Sequence, residues 1–142
     1  MISKDFANKL NAEIFGGQNY IPPSNWYFGL STQPISDGVI PSGAEPTNPG
    51  YSRTQIANNQ TNFTTPNYNS TYTLSFVSNR NAITMSEITG GNQITVPYFF
   101  LSSSASGATC EIWGTFANAR ILTPDSQLIV KSGGAIFSLE NV

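Results

Sequence analysis

Ile2, Phe6, Leu10 and Ile14 recur at every fourth position, while Lys4, Asn8, Asn11 and Glu13 mostly fall on the other side. That spacing predicts one amphipathic helix within residues 1–17, with an apolar stripe along one face. Ser3 is placed to cap its start, and Gly16-Gly17 supplies the left-handed residue that commonly ends a helix. The expected role of this helix is to cover an end or edge of a sheet, with docking on another subunit as the alternative.

Beyond Gly17 the helical period stops. Short β-prone runs follow at 26–31, 52–56, 72–77, 82–86, 93–96, 98–102, 109–116, 127–132 and 135–139. Turn formers separate them: Asp37-Gly38, Asn48-Pro49-Gly50, Gly90-Gly91-Asn92, Ser106-Gly107 and Gly133-Gly134. Many short strands at this spacing predict an all-β chain, an antiparallel β-sandwich of jelly-roll-like or Ig-like type with one short N-terminal helix. No internal repeat or second boundary breaks residues 1–142, so a single domain is expected.

In "PPSNWYFGLSTQP" the prolines delimit one strand, because proline is tolerated at a strand's ends and not within a central ladder. Alternation puts Trp26, Phe28 and Leu30 on one face and Tyr27, Gly29 and Ser31 on the other. The first set reads as core, with Trp26 at the strand start open between core and ligand platform. Gly29 then marks a bulge or the close approach of another backbone. Residues 41–71 carry four prolines and six asparagines among few aliphatics, and so form a polar excursion unable to bury much apolar surface alone. One strand around 51–56 is expected within it, and the excursion is a candidate arm toward neighbouring subunits. Together with the helix it nominates Phe6, Leu10, Tyr51, Asn59, Phe63 and Tyr68 as inter-subunit contacts.

Composition narrows the function classes. Only 10% of the 142 residues are charged, and six Lys and Arg against eight Asp and Glu leave a net charge of −2. Scattered basic residues argue against nucleic acid, whose phosphates need clustered Lys and Arg. Histidine is absent, which removes the commonest general base and transition-metal ligand. The single cysteine, Cys110, reads as a small buried hydrophobe. The acids Asp37, Glu45, Glu87 and Glu111 each read as solvent-facing, and no spacing pairs two of them for hydrolysis. No calcium loop or phosphate-cradling glycine motif is present. An enzyme, a cofactor, a metal and a membrane partner are therefore not expected. Trp26, Tyr27 and Trp113 leave open a carbohydrate-binding module. The Asn-x-Thr triplets at Asn59, Asn62 and Asn69 read as coincidence in an Asn/Thr-rich tract.

Several stretches, in order, resemble a family of small bacteriophage virion proteins often labelled tail-fibre or decoration proteins. They are Tyr20-Ile21-Pro22-Pro23, Tyr27-Phe28-Gly29-Leu30-Ser31-Thr32-Gln33-Pro34 and Gly50-Tyr51-Ser52-Arg53, then "TVPYFFLSSSASGATCEIWGTF" and "ILTPDSQLIVKSGGAIFSL". The framework positions of that pattern are Pro22, Pro23, Tyr27, Gly29, Leu30, Pro34, Tyr51 and Arg53. The chain departs from it at Met85 to Asn92, which lacks the family's proline and tryptophan. The resemblance implies a non-enzymatic structural protein of a tailed-phage virion, made in the host cytoplasm. A capsid decoration (cement) protein bound to major capsid proteins is the leading expectation, as a homo-oligomer with a trimer favoured. A tail or tail-fibre component is the alternative.

Overall fold

The computed structural model describes residues 1–69 and 74–138. The predicted helix is α1, Lys4–Gly16, and both of its ends are closed as the sequence suggests. Ser3 Oγ accepts from the Phe6 amide at 3.1 Å, and the Asp37 carboxylate accepts from the Lys4 amide at 2.8 Å. Gly17 ends the helix in the left-handed region at φ 62°. Only the first part of the apolar stripe docks. Ile2 and Phe6 are buried, Leu10 is half-buried, and Ile14 stands exposed. The helix covers the domain with its amino-terminal half and projects the rest.

The strands follow as β1 (Asn25–Ser31), β2 (Thr54–Ala57), β3 (Asn67–Asn69), β4 (Leu74–Ser78), β5 (Ile83–Thr84), β6 (Ile94–Ser102), β7 (Ile112–Leu122), β8 (Ile129–Val130) and β9 (Ile136–Ser138). They form antiparallel sheets of order β2-β1-β6-β7, β3-β4-β9 and β5-β8. The chain is thus an all-β sandwich with one short N-terminal helix. Two expected runs, 93–96 and 98–102, are one strand. Pro97 interrupts the ladder between them, and residues 116–119 of β7 bulge opposite it, as the register steps from Val96↔Arg120 to Tyr98↔Thr115. The strand β3 was not anticipated, since asparagine is depleted in strands. It forms by pairing with β4 in the register Asn67↔Phe76 to Asn69↔Leu74. Tyr72, Thr73 and Leu139, which the sequence reading placed in strands, lie outside the described residues.

The large sheet is covered on both faces. One face presents Trp26, Phe28, Leu30, Val96 and Leu101 toward Phe63, Ile83, Val130 and Phe137 from the smaller sheets, with Phe6 sealing one end. Trp26 therefore belongs to the core, in edge contact with Phe6 at 6.2 Å between ring centroids. The opposite face carries Phe100 and Trp113, roofed by Ile35, Ile40 and Ala44 from the connection between β1 and β2. Cys110 completes this second cluster as the expected buried hydrophobe.

The strand glycines are explained by aromatic rings. Gly29 lies directly opposite Phe100 and Gly114 directly opposite Phe99. A Cβ at Gly114 would stand 2.6 Å from Phe99 Cζ, and one at Gly29 would collide with the tip of the Phe100 ring. Gly29 thus marks the close approach of a side chain, and not the bulge or the backbone approach expected. Consecutive residues of β6 send their rings to opposite faces, and each ring crosses a neighbouring strand where no side chain obstructs it.

Candidate functional site

The resemblance motifs converge on one buried polar cluster beside Phe100. Arg53 continues β2 past Thr54, so its side chain lies on the Gly29 face, and its guanidinium carbon stands 4.8 Å from the Phe100 ring centroid. It forks onto Glu45, with Nε to Oε1 at 2.8 Å and the second nitrogen to Oε2 at 2.7 Å. The remaining donors reach the Ser104 carbonyl at 2.9 Å and the Gly107 carbonyl at 2.5 Å. Arg53 thereby ties the β6–β7 turn to the β1–β2 connection.

Tyr51 joins the same acid. Its hydroxyl donates to Glu45 Oε1 at 3.0 Å and accepts from the Leu30 amide at 3.0 Å. Burial, reinforced by the Glu45 charge, pushes the phenol well above its usual range. Burial works to lower the Arg53 pKa, but its hydrogen bonds to Glu45 and that carboxylate's charge outweigh this and raise it. The Arg53 side chain is 2% exposed and that of Glu45 27%, so the acid is no solvent-facing residue. A buried pair of this kind stabilises only while both partners remain. Its hydrogen bonds run between loops of the same chain, and its role in the fold is that of a clamp.

The framework positions divide accordingly. Gly29, Leu30, Tyr51 and Arg53 meet in the clamp. Pro22, Pro23 and Pro34 flank β1, with Pro23 accepting from the Asn58 side-chain amide at 2.9 Å. Tyr27 pairs with Ser102 and Gln55 and is half-buried. The sequence reading missed Glu45 and Phe100 as members. It also missed Asn79, buried, whose amide donates to the Lys131 and Asn81 carbonyls and accepts from the Ala135 amide.

The nominated contact residues are spread more widely. Phe6 and Phe63 are buried in the main core, Phe63 in edge contact with Phe137 at 6.1 Å. Tyr51 is held in the clamp, and Leu10 is half-buried against the core. Asn59 is exposed and folds its own turn, accepting from the Thr61 and Asn62 amides at 3.0 and 3.1 Å. Tyr68 stands mid-strand in β3, paired with Ser75. Of the three candidates for a sugar platform, Trp26 and Trp113 are buried and Tyr27 is half-buried.

Two features face outward. Ile14, Phe15 and Ile21 are 68%, 85% and 84% exposed around the end of α1. Beside them a cavity of about 440 Å³ opens between the two larger sheets, walled by Phe6, Trp26, Leu101 and Phe137 and rimmed by Tyr20, Pro22 and Asn58 to Gln60. Among the described residues no group of three or more Asp, Glu, Cys or His is placed to hold a metal ion. None of their helices is long and apolar enough to cross a membrane.

A family model described as Podophage GP4 fiber I protein gp80 matches residues 1–138. No curated protein matches the chain.

Proposed function

The chain belongs to the Podophage GP4 fiber I protein gp80 family, a phage virion structural family, and from that premise we propose that it is a non-enzymatic subunit of a virion fibre. The observation that carries this reading is the family match over almost the whole chain. Two further features support it. The best-developed polar constellation, Glu45, Tyr51 and Arg53, is spent inside the fold as a clamp between loops, as suits a part whose task is to keep its shape. A sparse surface charge lets many copies crowd together with little mutual repulsion.

A capsid decoration role, with the major capsid protein as partner, is the second reading, and the ordered sequence motifs favour it as much as a fibre. Copy number separates the two. Quantitative mass spectrometry of purified virions should find a few copies per particle for a fibre subunit. Hundreds of copies would move the chain to the shell, and absence from purified particles would defeat both readings.

A further inference from the structure

We propose that the slot between the facing edges of β2 and β5 is a binding site for a neutral saccharide, seating one pyranose ring. This goes beyond the reading of the chain as a virion subunit and does not depend on it.

The slot exists because two sheets end beside one another. β2 is an edge strand of the large sheet and β5 of the two-stranded sheet, and they come within 8 Å, Cα to Cα, with no ladder between them. The phase of each ladder determines what the free edges carry. The Asn58 amide donates to the Ser24 carbonyl, and bonded pairs recur at every second residue of an antiparallel ladder. Ile56 and Thr54 are therefore the residues bonded to β1, and Gln55 turns its N–H and C=O outward. On the other side the Met85 amide donates to the Leu128 carbonyl. Ile83 is therefore bonded to β8, and Thr84 turns its N–H and C=O outward. Among the described residues nothing takes up these four groups, the Gln55 carboxamide, or the Thr54 and Thr84 hydroxyls.

A cavity of about 260 Å³ lies between the two edges, lined by residues 54–57 on one side and 81–84 on the other. Successive strand residues send their side chains to opposite faces, so a cavity touching all four residues of β2 runs along the backbone edge itself. One end is closed by an amide network. Asn62 donates to the Ala57 carbonyl at 3.0 Å, and Asn81 donates to the Thr61 carbonyl at 3.0 Å and to Asn62 Oδ1 at 3.2 Å. Asn81 is thereby fixed with its own Oδ1 left as an acceptor.

The properties of this slot select its ligand. None of its lining residues is charged, so an ion would lose its hydration there and gain no counterion. An N–H stands beside a C=O at both Gln55 and Thr84. Two neighbouring ring hydroxyls, each at once donor and acceptor, answer such a pair. The volume exceeds the roughly 150 Å³ that takes a benzene ring and is below the roughly 300 Å³ at which drug-sized sites begin. One six-membered ring with its hydroxyls suits that space. An inserted β-strand would need the two edges about 9.6 Å apart, twice the strand spacing, which is more than the approach of β2 and β5 allows.

The test is an amide-resolved NMR titration of the full chain with glucose, galactose, mannose, rhamnose and N-acetylglucosamine, and with glycerol as control. The expected result, for at least one sugar, is a saturable shift confined to residues 54–57, 62 and 79–84, with hydrogen exchange slowed at the Gln55 and Thr84 amides. Gln55→Ala combined with Thr84→Ala, both at exposed positions, should weaken binding about tenfold with circular dichroism unchanged. Retained binding of the methyl glycoside identifies the ligand as a sugar within a polymer, and loss on methylation identifies a free sugar. The proposal is overturned if no sugar gives a saturable shift, or if glycerol shifts the same signals equally, an adventitious additive only. A TVTVT peptide that shifts them where the sugars do not also overturns it, in favour of strand addition. So does protection of the Gln55 and Thr84 amides in the free chain, which would mean that β2 and β5 pair directly.

Discussion

Gly29 of β1 and Phe100 of β6 face each other across the central ladder, and the Phe100 ring occupies the space a Gly29 side chain would need. Arg53 then packs on the same ring at 4.8 Å, so a hydrogen atom at one position sets the height of an entire stack. Gly29→Ala should destabilise the fold by about 2 kcal/mol, the usual cost of forcing atoms into a filled core. Urea melts should show it. Phe100→Leu in the Gly29→Ala background should recover part of the loss, a non-additivity that identifies the ring as the obstacle.

Arg53→Ala leaves Glu45 without its counterion and two turn carbonyls without donors. The expected loss is about 3 kcal/mol. Arg53→Lys keeps the charge and loses the two-pronged geometry, so it should fall between wild type and Arg53→Ala in the same urea assay. Full stability in Arg53→Lys would mean that the fork contributes nothing beyond its charge.

Burial pushes the Cys110 thiol up to about 12, with the Glu111 charge adding to the effect. The folded chain thus keeps a proton that the unfolded chain releases, and stability falls as pH rises through that window. The Tyr51 phenol is shifted in the same direction and adds to the fall at higher pH. The urea midpoint should decline between about pH 8 and pH 11, and Cys110→Ala should flatten the lower part of that decline. At neutral pH the folded thiol should resist alkylation and react only after denaturation.

Ser3 supports α1 twice, through its side chain to the Phe6 amide and through its own amide, which donates to the Glu111 carbonyl at 2.8 Å. Ser3→Ala removes only the first. A loss of about 1 kcal/mol is expected, read as a lower melting temperature. An unchanged melting temperature would assign the helix start to the Asp37 carboxylate at the Lys4 amide instead.

Local pattern carried the parts of this structure that are local. The period-two alternation identified Phe28 and Leu30 as core because a strand's face assignment needs only its own residues. It could not settle Trp26, whose partner Phe6 arrives from the helix. Gly29 was legible as a close-approach site, but what approaches it lies on a strand far along the chain, beyond any spacing rule. The pair Glu45 and Arg53 was half legible. Arg53 stood in a motif, whereas nothing near Glu45 marks an acid that will be drawn into a clamp. The fourfold repeat of α1 showed which face is apolar but not where the helix leaves the domain, because burial of Ile14 depends on what stands opposite it. β3 was invisible for a related reason, since its asparagines pair only because β4 offers an edge.

The two tryptophans sit in different clusters, Trp26 with Phe6 on one face of the large sheet and Trp113 with Phe100 on the other. Nature has thus built in two optical reporters, one per layer. Trp113→Phe leaves a chain whose emission follows the inter-sheet core, and Trp26→Phe one that follows the roofed face. Strands β1 and β6 contribute side chains to both layers, so the two signals should report one shared unfolding transition, with a red shift at the same denaturant concentration. A chain wired in this way loses both faces together or neither.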